Sequence, residues 1–294
     1  VDVHDLYRFF SNPAMFLLTR RLGLHLEERT SILEEREAFE IKGLERYLLE
    51  ENLVKSRLAG RKLEDLFLQT RASGQLPHGT VGECVYESLC RGVEGFVKKS
   101  GHYMEAKPLP SLEVDLIISD FRLTGMIDSL YPDRLLRYRY ARIRSRDRLR
   151  AWIHHLVLNS LKAAGYPRKS LLAGLAPGDG REPEWVAWEY EPLEHSEEVL
   201  GVFLELYRAG LVNPLHFFPE SSWTYIHMLL EKKQPPETAL ERARLHWTGS
   251  DFQRGESEDA CYDLCFRGTD PLDSEFQRIA ERIFTPFLAH QRKV

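Results

Sequence analysis

Three runs of apolar and β-branched residues, at 112–118, 121–130 and 135–143, succeed one another with a turn at Tyr131-Pro132-Asp133, and a series of arginines begins inside the third. Consecutive extended runs between turn signals predict an antiparallel meander. Side chains alternate along a strand, so Arg137 and Arg139 share one face of the third run, while Leu136, Tyr138 and Tyr140 share the other and point to the core. A helix is expected next, over 149–161.

An acid stands at the end of the second run, Asp128, closing Gly125-Met126-Ile127-Asp128. A Mg²⁺ site needs hard oxygen ligands, usually two or more carboxylates with waters, and a nearby lysine can orient water or stabilise developing charge. Asp128 could supply one ligand. With Arg137 opposite it, a divalent ion roughly 5 Å from the guanidinium would be repelled by several kcal/mol even at an effective dielectric near 20. No metal is expected there. Arg137 and Arg139 are instead expected to pair with Asp128, Glu113 or Asp115 as a structural plug.

The Gly-Met-Ile-Asp turn, the Leu135-Leu136-Arg137-Tyr138-Arg139 strand and the helix after it resemble the nuclease domain of the RecB family. That family's pattern is G-x-[IV]-D, then D-x-K, then a glutamine and a tyrosine on a helix. By it Asp128 matches the first acid, Arg137 replaces the second and Arg139 replaces the lysine, while Trp152 and His154 stand for the glutamine and tyrosine. The family's upstream histidine falls near Glu83 or Tyr86. The resemblance narrows with Asp5-Leu6-Tyr7-Arg8-Phe9-Phe10-Ser11-Asn12-Pro13, Arg21-Leu22-Gly23, residues 74–83, Phe218-Pro219-Glu220-Ser221-Ser222-Trp223, Trp247-Thr248-Gly249, Gly255-Glu256, Phe266-Arg267-Gly268 and Asp270-Pro271-Leu272. In this order the segments resemble the C-terminal domain of the RecC family, the gamma subunits of exodeoxyribonuclease V (RecBCD), over essentially the whole chain.

The resemblance implies an α/β (α+β) fold with a degenerate PD-(D/E)XK restriction-endonuclease-like core, a mixed sheet flanked by many helices. It implies one domain over 1–294, with a helical part at 1–104, the degenerate core at 105–210 and a second helical part at 211–294. Asp128, Arg137 and Arg139 become vestiges of a catalytic site, with no catalytic residue and no cofactor in this chain. The implied partners are the beta and alpha subunits of a bacterial, cytoplasmic helicase-nuclease, and DNA, as a duplex end or single strand within the complex, whose strands the domain would help to split and guide in break repair by homologous recombination.

Composition agrees without adding much. With 294 residues and 43% apolar content the chain can bury a substantial core. No apolar run approaches the roughly 20 residues that span a bilayer, and no signal peptide is visible, so a soluble intracellular protein with no membrane contact is expected. The lack of an initiator methionine and the amphipathic helix at the start, capped by Asp2 or Asp5 and carrying Leu6, Phe9, Phe10, Phe16 and Leu17, suggest a piece of a longer polypeptide. Cys84, Cys90, Cys261 and Cys265 lack the closing triplet with which the related AddB nucleases hold an iron–sulfur cluster, so free thiols are expected.

Elsewhere the sequence predicts a solvated acidic stretch over 27–51, helices over 44–58, 79–97 and 196–210, a turn over 176–180, a strand over 184–190, and mostly helix beyond Pro214. His154 and His155 are adjacent and diverge by about 100° on a helix, so structural roles are expected. Ser221 and Ser222 lack a nucleophile elbow. Trp185, Trp223 and Trp247 are expected in the core.

Net charge is only −5, yet eight arginines (Arg134, Arg137, Arg139, Arg142, Arg144, Arg146, Arg148 and Arg150) fall within 17 residues holding one acid, Asp147. For Arg142, Arg144, Arg146, Arg148 and Arg150 this density predicts phosphate contacts or an acidic partner subunit. Two other readings are open. One is an active metal-dependent nuclease pairing Asp128 with a displaced acid; the other is a protein-binding scaffold with no DNA contact.

Overall fold

Helix α1 (Val3–Ser11) starts where the Asp2 carboxylate accepts the His4 N–H at 2.7 Å. The apolar spacing reads as one helix through Leu17, but Asn12 interrupts it. The Asn12 side chain accepts from the Met15 N–H at 2.9 Å and starts α2 (Pro13–Phe16), where Pro13 fills a first-turn position that needs no donor. The computed structural model describes residues 1–26, 41, 43–176, 185–250 and 253–294, so most of the acidic stretch and of the turn at 176–180 lies outside the described residues.

Helices α3 (Gly43–Leu58), α4 (Phe67–Ala72) and α5 (Gly79–Ser100) follow. They build a core of their own from Leu49, Leu53, Leu89, Val93 and Phe96, closed by Tyr140. Gly92 makes that closure possible: a Cβ there would stand 2.3 Å from the Tyr140 hydroxyl.

Strands β1 (Leu112–Ile118) and β2 (Phe121–Ile127) form a hairpin in register from Leu112↔Ile127 to Ile118↔Phe121. The meander expected from the sequence stops there. Ser129, at φ 60, turns the chain, and β3 (Leu135–Arg142) touches the hairpin's end through the Leu130↔Leu135 bridge before leaving it. Helix α6 (Ser145–Leu161), which begins four residues before its sequence-predicted start, carries the chain back to β4 (Ser170–Leu175), parallel to β3. Strand β5 (Trp185–Tyr190) is antiparallel to β4.

Helices α7 (Ser196–Gly210), α8 (Pro219–Ile226) and α9 (Pro236–Thr248) come next, then a short ribbon of β6 (Gly249–Ser250) and β7 (Gln253–Arg254). Helices α10 (Ala260–Phe266) and α11 (Ser274–His290) lead into β8 (Gln291–Lys293), which pairs with β5. The result is a mixed α/β architecture whose larger sheet has the order β3-β4-β5-β8.

Helix α6 is the axis of this arrangement, packing on α1, α7, α8 and β4 with residues 151–160 all buried. Burial on every side favours internal pairing of this helix's polar groups, although Trp152 Nε1 and His154 Nδ1 have no partner among the described residues. His155 is therefore held by the Ser170 hydroxyl at 2.8 Å and the Glu191 carbonyl at 3.1 Å, and Asn159 donates to the carbonyls of His155 and Arg168 at 2.9 Å each. Around it Phe9, Phe10, Phe203, Phe217, Phe284 and Phe287 are fully buried, each worth roughly 1.5–3 kcal/mol of transfer from water. Trp247 is in this core, with Trp223 packed on its edge, and Trp185 packs on the core built by α3 and α5. Among the described residues no helix is long and apolar enough to cross a membrane.

Candidate functional site

Asp128 follows the last residue of β2, Arg137 projects from β3, and Arg150 and His154 lie one turn apart on α6, so the crossing of these elements gathers them beside Tyr7 of α1. The Arg137 guanidinium donates to Asp128 Oδ1. Its side chain is 14% exposed against 66% for Asp128, so the cation is inside and the carboxylate reaches in from solvent. Burial pushes the Asp128 carboxyl up, but Arg137, helped by Arg150, outweighs it and holds the group below the ordinary carboxylate range. Arg137 Nε is buried without a partner among the described residues, so the pair is not a fully satisfied network.

His154 stands behind this pair, 6.4 Å from the Tyr7 ring, and burial together with Arg137 and Arg150 drives its pKa well below the usual value. It is a neutral wall. Burial likewise lowers His155 to about 3. Both histidines are structural, as their adjacency implies. Trp152, at the position matched to the family glutamine, is fully buried and stacks on His155 at 5.3 Å.

Arg139 does not join Asp128, Glu113 or Asp115. It donates to both carboxylate oxygens of Asp147 at 2.8 and 3.1 Å and lies over the Tyr47 ring at 5.0 Å. Asp147 also accepts the Arg144 N–H at 2.9 Å, so one acid closes the first turn of α6 and ties it to β3. Asp115 is taken by Arg122 at 2.8 Å. Among the described residues no group of three or more His, Cys, Asp or Glu side chains gathers as a metal site. Tyr140 faces the core as expected, but Tyr138, also expected there, is 36% exposed. The β3 face it occupies is only partly covered.

The later arginines divide. Arg142, Arg144, Arg146 and Arg150 are exposed, and Arg150 lies over Tyr7 at 4.9 Å. Arg148 is 7% exposed, so its expected role in phosphate contact needs correction. Its guanidinium lies between Trp188 at 4.1 Å and Trp223 at 4.4 Å and donates to Gln291 Oε1 at 3.0 Å. It is a cation–π rivet joining α6, β5, α8 and β8. Next to these arginines Glu220 accepts from the Ser145 N–H and hydroxyl at 3.1 and 2.7 Å, and Glu256 accepts from Ser221. Neither role is evident from the Phe218–Trp223 and Gly255-Glu256 segments of the sequence. The signal available was position alone, Glu220 following a proline at a helix start.

The profile of the family described as RecC C-terminal domain matches residues 1–229. The chain is 27% identical over 285 residues to the RecBCD enzyme subunit RecC of Escherichia coli (strain K12), covering 94% of this chain and 24% of that protein. It is 23% identical over 304 residues to the subunit of the same name from Buchnera aphidicola subsp. Schizaphis graminum, covering 100% of this chain and 27% of that protein. The chain thus spans about a quarter of the length of these curated relatives.

Proposed function

The chain belongs to the RecC C-terminal domain family, and from that premise we propose that it is a non-catalytic, nuclease-like part of an exodeoxyribonuclease V gamma subunit. It packs with the beta and alpha subunits of a bacterial, cytoplasmic helicase-nuclease and guides DNA there during break repair by homologous recombination. Residues 1–294 act as one unit in this reading. The succession of β1–β2 hairpin, β3, α6 and parallel β4 supports a degenerate PD-(D/E)XK core at its centre.

One observation carries the non-catalytic reading: the Arg137 guanidinium rests on Asp128, where a second carboxylate would have to stand to hold a divalent ion. The chain's own residues therefore neutralise the one matching acid. Arg142, Arg144, Arg146 and Arg150 supply the positive surface that a phosphate backbone requires. Calorimetric titration with Mn²⁺ at low ionic strength, beside an Asp128→Ala variant, tests this. The expected result is no heat that depends on Asp128; one saturable site abolished by the substitution overturns it.

A further inference from the structure

A cleft of about 940 Å³ opens beside the N-terminus of α6, bounded by Asn12 at the α1–α2 break and by the segment from Arg254 to Tyr262. Its acids are all engaged. Glu220 holds the first residue of α6, as described above. Glu256 accepts from the N–H groups of Glu220 and Ser221 at 3.0 and 2.8 Å and from the Ser221 hydroxyl at 2.7 Å. Asp259 accepts from the N–H groups of Cys261 and Tyr262 at 2.9 and 3.2 Å, and from the Asn12 amide at 3.1 Å. These carboxylates cap helices, and burial pushes the Glu256 carboxyl up to about 7 against the hydrogen bonds from Ser221, which reduces the negative charge facing the cleft.

The groups left over are donors. Tyr262 lines the cleft at 3% exposure, and its hydroxyl is buried without a hydrogen-bond partner among the described residues. Arg144 and Arg146 also line the cleft, and neither guanidinium is held in a salt bridge among the described residues. A buried unpaired hydroxyl costs free energy that a ligand oxygen recovers, and two guanidinia beside it select an oxyanion with several acceptors. The cleft is far larger than a free phosphate needs. Arg150, one turn beyond Arg146 and about 6 Å farther along the α6 axis, continues the positive edge outside it.

We propose that this cleft binds one phosphate group of a nucleic-acid strand, with Arg144 and Arg146 on its oxygens and the Tyr262 hydroxyl donating to one of them. The assignment rests on the DNA-guiding reading and gives it a specific seat.

The test measures binding of a labelled oligothymidylate, with and without a terminal phosphate, to the intact subunit over a range of salt. Variants are Arg144→Gln/Arg146→Gln, Tyr262→Phe and, outside the cleft, Arg150→Gln. Each cleft arginine removed is expected to flatten the dependence of log affinity on log salt by about 0.7. Tyr262→Phe, which keeps the ring packed on Phe218 at 5.1 Å, is expected to weaken binding about fivefold with the salt slope unchanged. If the slope is unaltered in Arg144→Gln/Arg146→Gln but falls in Arg150→Gln, the cleft is not the seat while DNA guiding stands. If the parent subunit shows no salt-dependent binding, both readings fall. Tighter binding of the strand with a terminal phosphate makes the ligand a strand end; equal binding makes it an internal phosphodiester.

Discussion

Two sets of arginines only a few residues apart are used in opposite ways. On β3, Arg137 and Arg139 are matched to Asp128 and Asp147 and are mostly enclosed. From the corner before α6 into its first turns, Arg144, Arg146 and Arg150 remain at the surface. The side chains are identical, so the difference lies in what neighbouring elements offer: β2 runs out at an acid facing β3, whereas Glu220 and Glu256 nearby are occupied with backbone groups. A run of like charge in a sequence is therefore not one functional patch. Adjacent acids divide it into structural and available members.

Among single substitutions, removing Arg148, the most enclosed member of the run, should give the largest effect. Arg148→Ala opens a gap between Trp188 and Trp223, and denaturant unfolding should show a loss of about 3–4 kcal/mol, with the salt dependence of oligonucleotide binding unchanged. Acid acts on a different pair of buried groups. His154 and His155 are held neutral, with folded pKa values below their unfolded value near 6.5, so their contribution is complete above that pH and is lost as pH falls below it. Each should remove about 1.4 kcal/mol per pH unit, over a window that for His155 extends to about 3; a flat stability profile between neutrality and mild acid would contradict their burial.

Arg137→Ala should cost about 1–2 kcal/mol in the same unfolding measurement, a figure kept small because Asp128 is largely solvated. Arg144→Gln should change stability by less than about 0.5 kcal/mol while weakening oligonucleotide binding. Equal stability losses for Arg137→Ala and Arg144→Gln would erase the distinction between the two sets.

The elements with clean periodicity were legible in the sequence. The β1–β2 hairpin, the helix over 196–210 and strand β5 (Trp185–Tyr190) lie where alternation or 3.6-residue spacing places them. Strand β4 was not, because Ser170–Leu175 is a short apolar run buried on both faces and carries no alternation. The partner of β3 depends on the left-handed Ser129, a conformation no local pattern announces. The Arg137–Asp128 pair could be read from charge complementarity, whereas the Arg139 partner lies around a strand-to-helix corner. The burial of Arg148 did leave a trace: it precedes Leu149 and sits one turn before Trp152, on the apolar side of the helix, while Arg146 and Arg150 share the other. The cleft left none, since Arg146, Glu220 and Tyr262 meet only through tertiary packing.

Strand β8 imposes an order on folding. Gln291 reaches Tyr190 across 101 residues of chain and also receives the Arg148 guanidinium. As the polypeptide leaves the ribosome, β5 can dock on β4 and still expose an unpaired edge until Gln291–Lys293 are made. Closure of so distant a pairing comes late, and until then the nascent sheet is open to strand exchange with other chains.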